Sequence, residues 1–108
     1  MAAASAVTVT RGNRQFQGAF SEMFFVTATL NPASLADGVG ETETVAVPGV
    51  ALGDIVIGVS NSLDLQDITV TAYVQAADAV ELRVQNEGAA TVDLASATIK
   101  LLIGRPAW

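Results

Sequence analysis

Short stretches of alternating apolar and polar residues run through most of this 108-residue chain. The alternation is clearest in residues 68–75, where Ile, Val, Ala and Val alternate with Thr, Thr, Tyr and Gln, and it returns in residues 80–85. Successive side chains of a β-strand point to opposite faces of a sheet, so each stretch predicts a strand with one buried face. Because a short turn at residues 75–78 separates them, the two strands predict an antiparallel hairpin.

Other segments have the composition of strands and are bounded by turn residues such as Pro48-Gly49. A nearly continuous apolar run at residues 54–59 predicts a strand that is buried on both faces. Residues 91–94 predict either a single helical turn or a strand edge, and residues 104–108 predict a terminal tail. The remaining predicted strands are residues 7–10, 24–30, 42–47 and 97–103.

Seven or eight short strands, with no helical apolar stripe of useful length, predict an all-β protein. We expect an antiparallel β-sandwich of jelly-roll or Greek-key type, formed by residues 22–108 and preceded by an N-terminal extended arm of residues 1–21. An immunoglobulin-like sandwich is the second choice, because the single Trp is residue 108 rather than a mid-chain residue. A closed up-and-down barrel is the third.

The composition is unusually apolar for a chain of this length. Apolar residues make up 51% of the sequence, charged residues only 15%, and the mean hydropathy is +0.47. So few charges leave little material to cover a surface, and we therefore expect the chain to associate with other chains. Polar residues interrupt every apolar run before the roughly 18 residues that a membrane-spanning helix needs, so no membrane segment is expected.

Charge is distributed unevenly along the chain. Five basic and eleven acidic residues give a net charge of −6, yet residues 1–21 contain Arg11 and Arg14 and no acid. Two arginines are too few for the clustered basic surface that binds nucleic acid, so no nucleic-acid partner is expected. Within this first segment, residues 15–20 predict either an extended arm or a poorly formed strand.

The residues that carry most enzyme chemistry are missing from the sequence. Without His or Cys, no Ser-His-Asp or Cys-His arrangement can form, and we expect neither an enzyme nor a cofactor. Asp64 and Asp67 lie in a predicted loop, but they lack the third acid and the Gly of an organised calcium loop, so we interpret them as solvated turn residues. Glu41 and Glu43 lie on the same side of a predicted strand and are interpreted as a solvent-facing edge.

Three segments carry a resemblance to a known group of proteins. They are residues 44–54, with the turn pattern V-PG-LGD, residues 65–86, with the hairpin pattern TAYV-AAD-V-LRVQN, and residues 92–103, with the strand pattern VDLAS-T-KLLI. Together they resemble a small β-sandwich module found in virion proteins of tailed bacteriophages. The resemblance covers roughly residues 24–103 and does not include the segment before them.

The resemblance implies a structural virion protein without catalytic or metal-binding residues. It implies a capsid decoration or cement protein, usually a homotrimer, on the outer surface of the phage head, where it ties neighbouring major capsid protein subunits together. The alternative is a receptor-binding or glycan-binding module of a head fibre or tail tip.

The two functions predict different contact residues. For capsid decoration, the uneven charge suggests that residues 1–21 contact the capsid, with Arg11 and Arg14 as polar anchors and Phe16 and Phe20 as apolar ones. For glycan binding, the exposed aromatic residues and the loop before the third predicted strand are the stacking candidates. These candidates are Tyr73, Trp108 and residues 31–40.

Overall fold

The computed structural model describes residues 2–11, 19–32 and 34–108, and within them the chain forms eight strands in two sheets. None of the described residues belongs to a helix long and apolar enough to cross a bilayer. The strands are β1 (Ala2–Ala3), β2 (Ser5–Arg11), β3 (Phe20–Leu30), β4 (Gly40–Ala46), β5 (Ile55–Asn61), β6 (Ile68–Ala76), β7 (Ala79–Asn86) and β8 (Ala97–Pro106).

The strands form two four-stranded layers. The first sheet has the order β1-β4-β7-β6 and the second has the order β2-β3-β8-β5. Every pairing is antiparallel except the short parallel contact between β1 and β4. The predicted antiparallel β-sandwich is confirmed. Because neighbours such as β3 and β8 are distant in sequence, the strand order of the described residues differs from that of an up-and-down barrel.

The core lies between the sheets and follows the predicted alternation. Strand β3 pairs with β8 from Phe20 opposite Pro106 to Leu30 opposite Ala97. Every second residue is buried from residue 24 to 30 in β3 and from residue 97 to 103 in β8. The predicted hairpin of β6 and β7 contributes the facing wall. The buried cluster is almost wholly aliphatic, and it consists of Phe24, Val26, Ala28, Leu30, Val45, Val47, Val50, Val74, Val80, Leu82, Ile99, Leu101 and Ile103.

Strand β5 does not have the environment that the sequence predicts. It lies at the edge of the second sheet, and Ile55 and Ile57 are 40% and 45% exposed. The prediction of burial on both faces is therefore wrong. A register shift between Val56 and Gly58 interrupts the alternation, as bulges at sheet edges do, and leaves Ile57 exposed. The apolar run thus marks an exposed surface and not a central strand.

The structure also shows what the predicted tail and the ambiguous segment near residue 92 form. Strand β8 continues to Pro106, and Gly104 lies opposite Met23, so residues 104–106 belong to the sheet and not to a tail. Pro106 is tolerated because it ends the strand, where its missing N–H breaks little of the ladder. Val92 exchanges backbone hydrogen bonds of 2.8 and 2.9 Å with Leu35, which makes it a strand edge.

Much of the segment that the sequence sets apart as an arm lies in the sandwich. Residues 2–3 form β1 beside β4, and residues 5–11 form β2, in which Val9 lies opposite Val26 of β3. Residues 20–21 already belong to β3. The described part of the predicted arm therefore contributes to both sheets, and residues 12–18, which join β2 to β3, lie outside the described residues.

Asn86, at the end of β7, holds the loop between β3 and β4 and the loop between β7 and β8. Its side chain is fully buried. The amide Nδ2 donates to the carbonyl oxygens of Leu35 and Ala90 at 2.9 and 2.8 Å, and Oδ1 accepts from the backbone N–H of Gly88 at 2.9 Å. All of these partners are backbone groups that need a hydrogen bond when water is excluded.

We expect Asn86→Ala to lower the free energy of unfolding by about 2–3 kcal/mol, because it leaves buried backbone groups unpaired. Urea titration monitored by circular dichroism measures this change. Gln85→Ala is the matched control, since Gln85 makes an exposed hydrogen bond to the Gly38 carbonyl oxygen and its loss should cost less than about 1 kcal/mol. Equal losses in the two variants would contradict the role given to Asn86.

Candidate functional site

The four residues predicted to contact a capsid are only partly within the described structure. Arg11 is the last residue of β2 and Phe20 is the first residue of β3, so both lie at the same end of the second sheet. The Phe20 ring is 5.8 Å from the Trp108 ring, centroid to centroid, and it also covers Gly104. Phe20 is thus packed against the end of β8. Arg14 and Phe16 lie outside the described residues.

Glu43 is not on a solvent-facing edge, so that interpretation of Glu41 and Glu43 is wrong for Glu43. The side chain is 1% exposed, and it lies opposite Leu82 on the core side of the first sheet. Neither of its carboxylate oxygens has a hydrogen-bond partner among the described residues. Glu43 lies two residues before Val45 and four before Val47, which are both fully buried, so the alternation of the strand was the signal that places Glu43 on the core side.

Burial, and after it the neighbouring carboxylate of Glu41, raises the pKa of Glu43 from 4.5 to about 7. Low-polarity surroundings disfavour the charged form of a carboxyl group, so the proton is held to higher pH. At neutral pH the group is therefore close to the midpoint of its titration.

Asp64 and Asp67 lie in the predicted loop. Asp64 Oδ1 accepts a hydrogen bond of 2.9 Å from the backbone N–H of Gln66, which is the geometry of an Asx turn. The Asp67 side chain lies against Gly88. Within residues 2–11, 19–32 and 34–108, no three acidic, His or Cys side chains are grouped as a metal site.

The two candidate stacking residues lie on different parts of the molecule. Tyr73 is on the outer face of the first sheet, where its hydroxyl donates a hydrogen bond to the carboxylate of Glu81, and this contact raises the pKa of Tyr73. Trp108 follows the last strand of the second sheet, is 80% exposed and contacts Phe20. The two rings therefore do not form a common platform for a sugar.

An ion-pair cluster around Arg105 was not predicted from the sequence. Arg105 Nε and Nη2 donate to both carboxylate oxygens of Asp54 at 3.0 and 2.9 Å, and Nη2 also donates to the Gly49 carbonyl oxygen at 2.7 Å. Glu22 lies 3.3 Å from Nη1, and the guanidinium is 5.7 Å from the centre of the Phe24 ring. The partners are up to 83 residues apart in the chain, and no local sequence signal connects them.

Two of the turns named in the sequence analysis contact each other. The N–H of Gly49 donates to Asp78 Oδ1 at 2.8 Å, and the N–H of Asp78 donates to the Val50 carbonyl oxygen at 2.9 Å. Gly49 has φ of 98°, a left-handed conformation that favours glycine. The Pro48-Gly49 turn and the β6–β7 turn are therefore held together as one unit.

The outer face of the second sheet carries a shallow groove of about 560 Å³. Gly58, Leu102 and Phe25 lie side by side across strands β5, β8 and β3, and Phe25 is 43% exposed. We call this surface the groove face. Its lining consists of Phe25, Val26, Thr27, Gly58, Val59, Ser60, Lys100, Leu101 and Leu102, and it includes no acidic residue.

The most distinct features of the described residues are two outer sheet faces and one ion-pair cluster. The groove face is apolar, the outer face of the first sheet is polar, and the Arg105 cluster joins the ends of several strands. A comparison of the chain with protein-family models, curated proteins and solved structures found no match. The functional argument therefore depends on these surfaces and on the sequence patterns.

The buried carboxyl group of Glu43 predicts a pH-dependent stability. The folded state holds the proton between the unfolded pKa of 4.5 and the folded pKa of about 7, so stability should fall as the pH rises through this range and should level off above it. The expected loss between pH 4.5 and pH 8 is about 3 kcal/mol, from about 1.4 kcal/mol for each pKa unit.

Glu43→Gln should remove this part of the pH dependence, because an amide does not titrate. Urea unfolding at pH 5 and pH 8 provides the measurement, with Glu87→Gln at an exposed position as the control of equal charge change. If the stability difference between the two pH values were the same in Glu43→Gln and the wild-type protein, another group would be responsible.

Proposed function

We propose that this chain is a structural virion protein of a tailed bacteriophage. In this proposal it is a capsid decoration or cement protein that binds the outer surface of the head as a homotrimer and stabilises contacts between major capsid protein subunits. The observation that carries the proposal is the apolar, acid-free groove face on a sandwich whose chain has a net charge of −6, because such a face favours assembly with other chains. The turn and strand patterns that resemble those of phage virion proteins indicate that the partner is a major capsid protein.

A cement protein needs broad contacts more than it needs a deep pocket. Each copy can bind the shell weakly, because several linked copies bind together and their effective concentration strengthens attachment. A sandwich with paired turns and a cross-strand ion-pair cluster is suited to this role, since a rigid body loses little conformational entropy when it binds. The apolar excess of the composition is consistent with surface that other chains cover.

We place the capsid contact at the end of the sandwich where β2 ends and β3 begins. The segment between these strands contains Arg14 and Phe16, and Trp108 reaches the same end through its contact with Phe20. Beside Trp108 is a depression of about 260 Å³, which Leu52 and Arg105 also line. Leu52 is 72% exposed, so this end presents exposed apolar side chains beside the ion pair of Arg105 and Asp54.

The alternative function is a head-fibre or tail-tip module that binds a receptor or glycan. The high exposure of Trp108 is the observation that favours it, because an exposed indole is a common stacking surface for sugars. Electron microscopy of virions with labelled protein separates the two functions. Label spread over the capsid surface supports decoration, and label restricted to the head fibres or the tail tip supports the alternative.

Capsid binding can be tested by sedimenting the purified protein with isolated capsids from which decoration proteins have been removed. The wild-type protein should pellet with the capsids and saturate at a fixed number of copies. Failure to bind capsids from the phage that encodes it would contradict the proposed function. Deleting residues 1–21 is not a suitable test, since it removes β1 and β2 from the sheets.

The proposed contact end predicts a specific loss of binding. The double variant Arg14→Ala, Phe16→Ala should bind capsids at least about tenfold more weakly, as expected when contact residues near the centre of an interface are truncated. Arg83→Ala with Tyr73→Ala is the matched control, because it removes one Arg and one aromatic ring from the outer face of the first sheet. Equal binding by the two double variants would place the contact elsewhere.

A further inference from the structure

We infer that the groove face binds a second copy of this chain, with Phe25 of one copy seated in the groove above Gly58 of its neighbour. This inference deepens the proposed function, because it assigns the self-association of a virion protein to one sheet face. It leaves the end that carries Trp108 available for the capsid.

The shape of the groove face provides a projecting group and a space for it. In one row across the sheet, Phe25 lies beside Leu102, and Leu102 lies beside Gly58. A Cβ added at Gly58 would meet no heavy atom within 4 Å, so the space above this residue is open. The Phe25 ring, which is 43% exposed, is an apolar group that such a space can accept.

Charge explains why the partner on this face is another copy. Strands β2, β3, β5 and β8 contain three basic residues and one acidic residue, Glu22, which pairs with Arg105. The remaining ten acidic residues lie elsewhere in the sequence, together with two basic ones. Two chains with a charge of −6 repel each other, and they can approach at least cost through a face without acids.

The polar part of the groove face is suited to contact with a neighbouring copy. Thr8 and Thr10 of β2 lie opposite Thr27 and Phe25, and Ser60 of β5 lies opposite Lys100. A hydroxyl group can both donate and accept a hydrogen bond, so the hydroxyl groups of one copy can pair with polar groups of a neighbouring copy. A rim of carboxylates or of many lysines could not do so.

The size of the face is also sufficient. Four strands about 4.8 Å apart and about seven residues long, at about 3.4 Å per residue, give a projected face of roughly 450 Å². Protruding side chains make the accessible area larger than the projection. The result is of the same order as the about 800 Å² that each partner contributes to a standard interface.

The test is the molar mass of the full-length protein, measured by size-exclusion chromatography with multi-angle light scattering over a range of concentrations. The wild-type mass should be that of at least two 11.1 kDa chains, and three for the proposed homotrimer. Gly58→Glu should shift the protein to the single-chain mass, because it fills the groove and adds an acid to the acid-free face. Phe25→Ser should weaken association by at least about tenfold, since it removes the projecting ring.

Thr71→Glu is the matched control, because it adds the same charge at an exposed position on the outer face of the first sheet. It should keep the wild-type mass. Circular dichroism and thermal unfolding of each variant show whether the fold is intact. If Gly58→Glu and Phe25→Ser are folded and keep the wild-type mass, or if the wild-type protein has the mass of one chain, the inference is overturned.

Capsid sedimentation of the same variants separates this inference from the proposed function. A folded Gly58→Glu variant that has the single-chain mass and binds capsids more weakly per chain supports the inference through lost avidity. Capsid binding that is abolished in Gly58→Glu while the mass stays at the wild-type value makes the groove face the capsid contact and overturns the inference alone. Absence of capsid binding by an oligomeric wild-type protein overturns the function alone.

Discussion

The structure depends on the burial of aliphatic side chains between two sheets. The sequence has no Cys, so the fold has no disulfide to constrain the unfolded chain. Burying a Val, Leu or Ile side chain contributes about 1.5–3 kcal/mol, and the core supplies such residues from both sheets. Antiparallel register makes this possible, because it aligns the apolar side of each strand with that of its neighbour. The inner faces are therefore committed to stability, and the outer faces are free to differ.

The outer faces do differ, and the difference is the basis of the functional proposals. Threonines, Tyr73, Glu81 and Arg83 cover much of the first sheet and bond with one another or face water. The second sheet shows Phe25 and Leu102 beside an open space at Gly58. Another chain can cover a face of this kind at low cost, because few charged or polar groups lose their contact with water.

Polar groups within the molecule determine how the ends of the sandwich are held. Arg105 binds Asp54 through two donors and also reaches the Gly49 carbonyl oxygen, so it joins β8 to the segment before β5. Asn86 fixes the loops at residues 35 and 88–90 with a fully satisfied side chain. Glu43 is the opposite case, since its buried carboxyl group lies beside the like-charged carboxylate of Glu41. A buried, unpaired carboxyl group lowers stability as it ionises, so this position is a weakness of the core above neutral pH.

The sequence by itself determined the all-β class and most strand positions, because these follow from a period-two pattern and from turn residues that act locally. It favoured a two-sheet sandwich over a closed barrel, and the structure decided between them. It also identified the hairpin of β6 and β7 with the correct buried face. It did not determine strand order, so the edge position of β5 was missed. The burial of Glu43 was missed although Glu43 shares the parity of the buried Val45 and Val47. It also could not find the Arg105 cluster or the groove face. These features bring together residues that are distant in the chain, and only the packing of the two sheets decides which of them meet.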